Sequence, residues 1–304
     1  MLNNRLEIIY QKLLSTGTQR KSERIFLIIA ILSFLIHLSI IFLVNFRIIN
    51  LEGTAELFKN PIAAIYTPFS FILVYEVYLL IYYLPRSLTT YVNKQYEIIL
   101  LIIMRRLFKD LAKLEISSDW FKIKNDLQFT YDIASSILLF FLIYLFYRQS
   151  RKRYEISSGY ESSSEGANKY ISLKKLIASG LVPVVLILAV YSFLNWFLNS
   201  ILGFDQPGDS FTNINNIFFE QFFSLLIIVD VLLLLVSFFY TDKFHYVIRN
   251  SGFIISTILI RLSFTVEGLM NNLLVLLAVI FGLIILIIHN QFEESINMEK
   301  SNDD

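Results

Sequence analysis

Residues 25–46 read IFLIIAILSFLIHLSIIFLVNF and contain no aspartate, glutamate, lysine or arginine. Crossing the hydrocarbon core of a bilayer takes about 20 apolar residues in a helix, so this stretch is long enough to span a membrane. Further apolar runs occur at residues 62–84, 135–147, 176–202, 217–240 and 273–289. A soluble protein buries one such run in its core, not six. The sequence therefore predicts an all-α, polytopic helical membrane protein.

The composition of the 304-residue chain fits the same class. Hydrophobic residues make up 56% of it and charged residues 17%, whereas soluble domains carry about a quarter charged residues. A formal net charge of +1, without a dense basic patch, predicts no nucleic-acid partner. The chain has no cysteine, which excludes disulfides, thiolate metal sites and thiol catalysis. The first partner that the sequence predicts is the lipid bilayer.

Three polar segments flank or divide the apolar runs. Residues 1–24 place leucine and isoleucine near helical spacing between charged residues, which favours an amphipathic segment on the cytoplasmic membrane surface. A helical extension that packs on its own protein fits this pattern equally well. Residues 148–175 are rich in serine and glutamate between basic clusters, which predicts a flexible polar linker. Residues 291–304 form a polar acidic tail.

The two stretches beside the linker, residues 25–147 and 176–290, carry polar residues in the same order. Offsets of 150 to 155 residues pair Asn45 with Asn195, Glu76 with Asp230, Tyr91 with Tyr246, Gln95 with Asn250 and Arg106 with Arg261. Any two apolar helices match loosely, but polar residues at nearly constant offsets are more specific. We interpret the two stretches as the first and second transmembrane repeats.

The repeat also predicts a less apolar helix in each copy, at residues 91–111 and 246–266. Counting both as spans gives about eight transmembrane helices, arranged as two tandem four-helix repeats (4+4). Four spans in each copy make the repeats parallel, related by an axis along the membrane normal. Three spans in each copy would make them inverted, so the architecture depends on these two helices.

The placement of lysine and arginine predicts the orientation, because cytoplasmic loops are enriched in both. With eight spans, most of these residues fall on the side of the N-terminus, whereas without the two weaker spans the sides are nearly equal. The basic residues within 105–124 fall on the opposite side and count against this orientation. We predict an integral protein of the plasma (inner) membrane with cytoplasmic N- and C-termini.

Ionisable residues inside membrane helices are costly and usually face the interior of a bundle. Glu76 and Asp230 lie well inside their apolar runs, and Arg106 and Arg261 lie in the following helices. These four residues form the predicted ion- or substrate-binding set. Two interpretations stay open: a pair of ion or proton sites, or a pair of buried salt bridges that fix helix register.

The sequence contains no metal-ligand spacing, phosphate-binding glycine loop or nucleophile motif, so we expect neither an enzyme nor a cofactor or metal site. The predicted function is a channel or transporter for an ion, a proton or a small solute. The alternative is a non-transporting membrane-embedded partner or assembly subunit. Either function allows a second copy of the chain or another membrane protein as a partner.

Overall fold

A computed structural model describes residues 2–46, 61–111, 124–157, 165–202, 210–240, 244–266 and 268–303. Within these ranges the chain is helical and contains no strand, which confirms the predicted all-α class. The α-helices, in chain order, are α1 (Leu2–Leu14), α2 (Thr16–Asn45), α3 (Tyr66–Tyr83), α4 (Leu88–Leu111), α5 (Lys124–Ser157), α6 (Glu165–Leu202), α7 (Ser210–Phe238), α8 (Phe244–Ser263) and α9 (Leu269–Asp303). A 3₁₀ turn, Pro61–Ile65, precedes α3.

Five helical segments of the described chain are long and apolar enough to cross a membrane. They are Glu7–Asn45, Asp126–Arg151, Asn168–Tyr191, Gln221–Phe238 and Leu269–Ile296. A shorter apolar helix covers Thr67–Tyr83. Helices α4 and α8, which would complete eight spans, are not among these segments. Length and composition therefore indicate a membrane protein, as predicted.

Some of the most apolar helices of the described chain expose much of their surface. The most apolar window of Glu7–Asn45 is only 17% buried, and Ile28 and Ile36 of α2 are 57% and 60% exposed. The less apolar α4 and α8 instead contain fully buried residues, such as Tyr96 and Phe253. This distribution suits a bundle that presents its apolar helices to lipid and encloses its polar ones.

A close contact between α4, α8 and α9 shows why the interior helices carry polar residues. The hydroxyls of Tyr96 and Ser256 lie 2.6 Å apart, and Ser256 donates to the carbonyl of Ala278 at 2.7 Å. Gly282 provides the space, because a Cβ there would lie 2.0 Å from the Tyr96 hydroxyl oxygen. Burying a hydroxyl costs little free energy when a neighbouring helix provides its hydrogen-bond partner. These helices therefore need not be uniformly apolar.

Helices α5 and α9 run parallel. Near their beginnings Asn272 donates to Asp132 at 2.5 Å, and near their ends Asn290 donates to the carbonyl of Gln149 at 3.1 Å. The two contacts join residues 140 and 141 positions apart, which only parallel helices allow over this length.

Two polar segments are more helical than the sequence predicts. Helix α5 continues to Ser157 and α6 begins at Glu165, so helices enter the predicted linker, residues 148–175, from both ends. The centre of that segment, residues 158–164, lies outside the described residues. Helix α9 likewise continues to Asp303, through most of the acidic tail. Extending an existing helix is easier than nucleating one, so polar residues of good propensity continue it.

The chain divides into two compact units. The first contains Met1–Tyr82, Ile102–Phe129 and Lys175–Leu225, and the second contains Tyr83–Leu101, Thr130–Lys174 and Leu226–Asp304. Each unit takes segments from both predicted repeats, residues 25–147 and 176–290. The repeat stays a prediction.

Candidate functional site

The second compact unit buries a carboxylate in the middle of an apolar helix. Asp230 lies in α7, and its side chain is 3% exposed. Its Oδ2 accepts a hydrogen bond from Nε2 of Gln95 at 3.2 Å, while Tyr91 interacts electrostatically with both residues. Oδ1 of Asp230 has no hydrogen-bond partner within the described part of the chain. Burying a carboxylate with one oxygen unsatisfied is unfavourable, which makes Asp230 a candidate site residue.

Asp230 faces a small cavity. About 10 Å³ of it is open to the centre of a water molecule, which is room for about one water. Leucine and isoleucine line part of its wall, and the polar residues that line it are Tyr91, Tyr170, Lys174, Asp230, Ser237 and Asn250. The cavity therefore joins α4, α6, α7 and α8 within one unit.

Lys174 is the cation of this cavity. It is 5% exposed, and its Nζ donates to the carbonyl of Arg86 at 3.0 Å and lies 5.0 Å from the centre of the Tyr170 ring. Lys174 and Asp230, both within the described residues, form no ion pair within 4.0 Å. The two opposite charges thus line one cavity without touching.

Three buried oxygens beside the cavity share one property. Within the described residues, the Tyr91 hydroxyl, Oε1 of Gln95 and Oδ1 of Asp230 make no hydrogen bond of normal geometry. The Tyr91 hydroxyl lies close enough to Gln95 and Asp230 to interact with both, so the three side chains form one polar cluster beside the cavity. The space that this cluster faces has room for about one water molecule.

The four residues predicted from the sequence divide between the two units. Glu76 is 4% exposed and within electrostatic reach of Arg105, the residue before the predicted Arg106. Glu76, Arg105 and Arg106 belong to the first unit. Arg261 belongs to the same unit as Asp230, but it lies in the last turn of α8 and does not line the cavity.

Sequence reasoning does not identify the residues that surround Asp230 as site residues. It marks Tyr91, Gln95 and Asn250 only as matching polar positions of the two repeats, and it places Lys174 at the end of the predicted linker. The match of polar residues between the two predicted repeats could have found them, because Tyr91 and Gln95 align with Tyr246 and Asn250. Polar residues inside weakly apolar helices are candidates for an interior site.

Comparison of the chain with protein-family models, with curated proteins and with solved structures finds no match.

Proposed function

We propose that the chain is a membrane transport protein that binds and passes a proton at Asp230. The observation that carries the proposal is the buried Asp230 carboxylate with one oxygen unsatisfied, beside a cavity of about one water. Ionisable groups inside membrane helices mark substrate and ion pathways, and proton relays are one class of these. A proton also needs no more space than this cavity offers.

The cavity favours a proton over the other substrates that the sequence allows. A small organic solute needs several times this volume. A metal ion would be repelled by Lys174, which lines the same space. A proton on Asp230 removes the carboxylate's charge, and water beside Lys174 can supply or accept it.

The proposed architecture is eight transmembrane helices in two tandem, parallel four-helix repeats. It is supported by the helix order, in which four long helices, α2 to α5, precede residues 158–164 and four, α6 to α9, come after them. The parallel course of α5 and α9, the fourth helix of each repeat, also supports it. Burial of α4 and α8 gives a reason why two spans have weak hydropathy. We propose cytoplasmic termini and a plasma-membrane location on the distribution of lysine and arginine.

A non-transporting membrane subunit is the second candidate. Asp132 favours it, because that aspartate is also fully buried in the second unit and is satisfied by Asn272 as a packing contact. Buried polar pairs of this kind fix helix register without moving a substrate.

The two buried aspartates provide a matched test. Asp230→Asn and Asp132→Asn each replace a buried carboxylate of the second unit with an amide of the same shape. We expect purified Asp230→Asn in liposomes to fold and lose proton flux, measured with an internal pH dye, whereas Asp132→Asn keeps it. Wild-type flux in well-folded Asp230→Asn contradicts the proposal. If wild-type protein passes no more protons than protein-free liposomes, the subunit function is favoured.

A further inference from the structure

One face of helix α2 packs on its own protein. Gln19 donates from Nε2 to the Tyr75 hydroxyl of α3 at 2.8 Å, and the rings of Phe26 and Tyr75 lie 5.9 Å apart, centre to centre. Further along α2, Ala30 and Ile41 are buried. One helical turn takes about 3.6 residues, so these four α2 positions share one side of the helix. The opposite side of α2 therefore faces away from α3.

The side of α2 that faces away from α3 begins with three basic residues. Arg20, Lys21 and Arg24 are exposed, and residues three and four positions apart are neighbours on a helix surface. Within the described residues, none of the three forms an ion pair. Glu23, the acid of the same turns, accepts from Nε2 of Gln19 at 3.2 Å and so lies toward α3. The three basic residues form a cationic patch.

The same side of α2 continues into the apolar span. Ile28, Ile31 and Leu35 follow Arg24 at helical spacing and are 57%, 59% and 51% exposed, so they form an apolar ridge in line with the cationic patch. A helix rises about 1.5 Å per residue, so residues 25–35 cover about 15 Å, which is the hydrocarbon thickness of one leaflet. A cationic patch followed by an apolar ridge of this length matches the headgroup and the acyl chain of a phospholipid.

We infer that the cationic patch and the apolar ridge together bind a phospholipid whose headgroup carries a net negative charge. Arginine donates several hydrogen bonds to a phosphate group, and basic residues beside a membrane span attract anionic lipids. A second copy of the chain is a poorer occupant of this face, because parallel copies in one membrane would bring the same cations together. The inference does not depend on proton passage at Asp230.

The test identifies the lipid beside the apolar ridge by tryptophan fluorescence. In the full-length chain, Trp120 and Trp196 are replaced by phenylalanine, and one tryptophan is introduced as Ile31→Trp, the α2 reporter. Ile187→Trp is the α6 reporter, at an exposed position of a helix without lysine or arginine between residues 176 and 202. Each protein is reconstituted in mixtures of phosphatidylglycerol and phosphatidylcholine, with bromine on the acyl chains of one lipid or the other. Bromine quenches a neighbouring tryptophan, so the mixtures give the binding constant of phosphatidylglycerol relative to phosphatidylcholine.

We expect phosphatidylglycerol to bind several-fold more tightly than phosphatidylcholine at the α2 reporter and about equally at the α6 reporter. Arg20→Gln/Lys21→Gln/Arg24→Gln should lower the ratio at the α2 reporter to about that at the α6 reporter, because the charges that hold the headgroup are gone. Glu23→Gln, which removes an exposed acid from the same turns, should not lower the ratio. These side chains are exposed, so the substitutions leave the packed face of α2 intact, and quenching of the α6 reporter checks that each variant is inserted in the bilayer.

Arg148→Gln/Arg151→Gln is the matched control, because it removes two exposed arginines from α5 and should leave the ratio at the α2 reporter unchanged. An equal fall in this variant would show general attraction by the charge of the protein, and the inference would be wrong. A ratio of about one in the parent protein, or a ratio that survives loss of the cationic patch, also overturns it. If neither lipid quenches the α2 reporter while both quench the α6 reporter, protein rather than lipid covers this face and the inference is wrong.

Discussion

At the scale of single residues, the neighbours Lys174 and Lys175 show how environment decides what a charge does. Lys174 is 5% exposed and donates to a backbone carbonyl beside the Asp230 cavity. Lys175 pairs with Glu7 at 3.0 and 3.1 Å, and both side chains of that pair are partly exposed. Removing a buried charge that makes a hydrogen bond costs more stability than removing one partner of a partly exposed ion pair.

We predict that Lys174→Gln lowers stability by about 1–3 kcal/mol, because it weakens the hydrogen bond from a buried side chain to the carbonyl of Arg86. It should also reduce proton flux, since Asp230 loses the cation of its cavity. Lys175→Gln is the matched control and should cost less than about 1 kcal/mol. Thermal melting in detergent and liposome flux are the measurements. Equal effects of the two substitutions would show that the cavity gives Lys174 no special role.

At the scale of elements, α4 and α8 hold the site although neither is among the span-length apolar segments of the described chain. They supply Tyr91, Gln95 and Asn250 to the cavity and its surroundings. Tyr96, Ser256 and Gly282 meet where these two helices approach α9. Interior helices of a membrane bundle can be polar because neighbouring helices, rather than lipid, surround them.

We predict that Gly282→Ala lowers stability by about 2 kcal/mol or more, because the new Cβ would overlap the Tyr96 hydroxyl oxygen. Tyr96→Phe removes that oxygen, so the double variant should recover part of the loss. Gly180→Ala in α6 is the control: a Cβ there has no neighbour within 4 Å, and replacing glycine in a helix stabilises it by up to about 1 kcal/mol. Melting of these variants beside the wild type checks this. If Gly282→Ala melts at the same temperature as the wild type, α4 and α9 are farther apart at this position than the structure shows.

At the scale of the whole molecule, the course of the chain through the membrane is the property that both proposals need. The groups of the site lie near the beginnings of α6 and α8 and in the second half of α7. This grouping is the one expected when α6, α7 and α8 cross the membrane alternately. The cavity should then lie nearer the cytoplasmic face.

We predict that a membrane-impermeant maleimide labels Ser118→Cys from outside intact cells. Ser163→Cys and Ser295→Cys should react only after permeabilisation, because eight spans place residues 158–164 and the end of α9 with the N-terminus. Ser118 and Ser163 lie outside the described residues, and Ser295 is exposed. Protection of Ser118→Cys would show that α4 does not cross, and labelling of Ser163→Cys from outside would reverse the orientation.

The sequence alone determined the class of the molecule and the positions of its apolar helices. Apolar runs of span length are a local property, so residues 25–46 and 176–202 predict membrane helices without knowledge of their neighbours. The same reasoning predicts that Asp230 is buried, because a charge in the middle of such a run has no access to bulk water. The polar pairs Tyr91–Tyr246 and Gln95–Asn250 identified α4 and α8 although hydropathy did not.

Only the tertiary structure decided which groups meet. The sequence favours Arg261, one helix away, as the partner of Asp230, but Gln95, 135 residues earlier in the chain, donates to its carboxylate. Lys174 and Asn250 complete the cavity from two further helices. Hydropathy reports how apolar a helix is and not which neighbour covers each face, so partners that are distant in sequence become visible only when the helices pack.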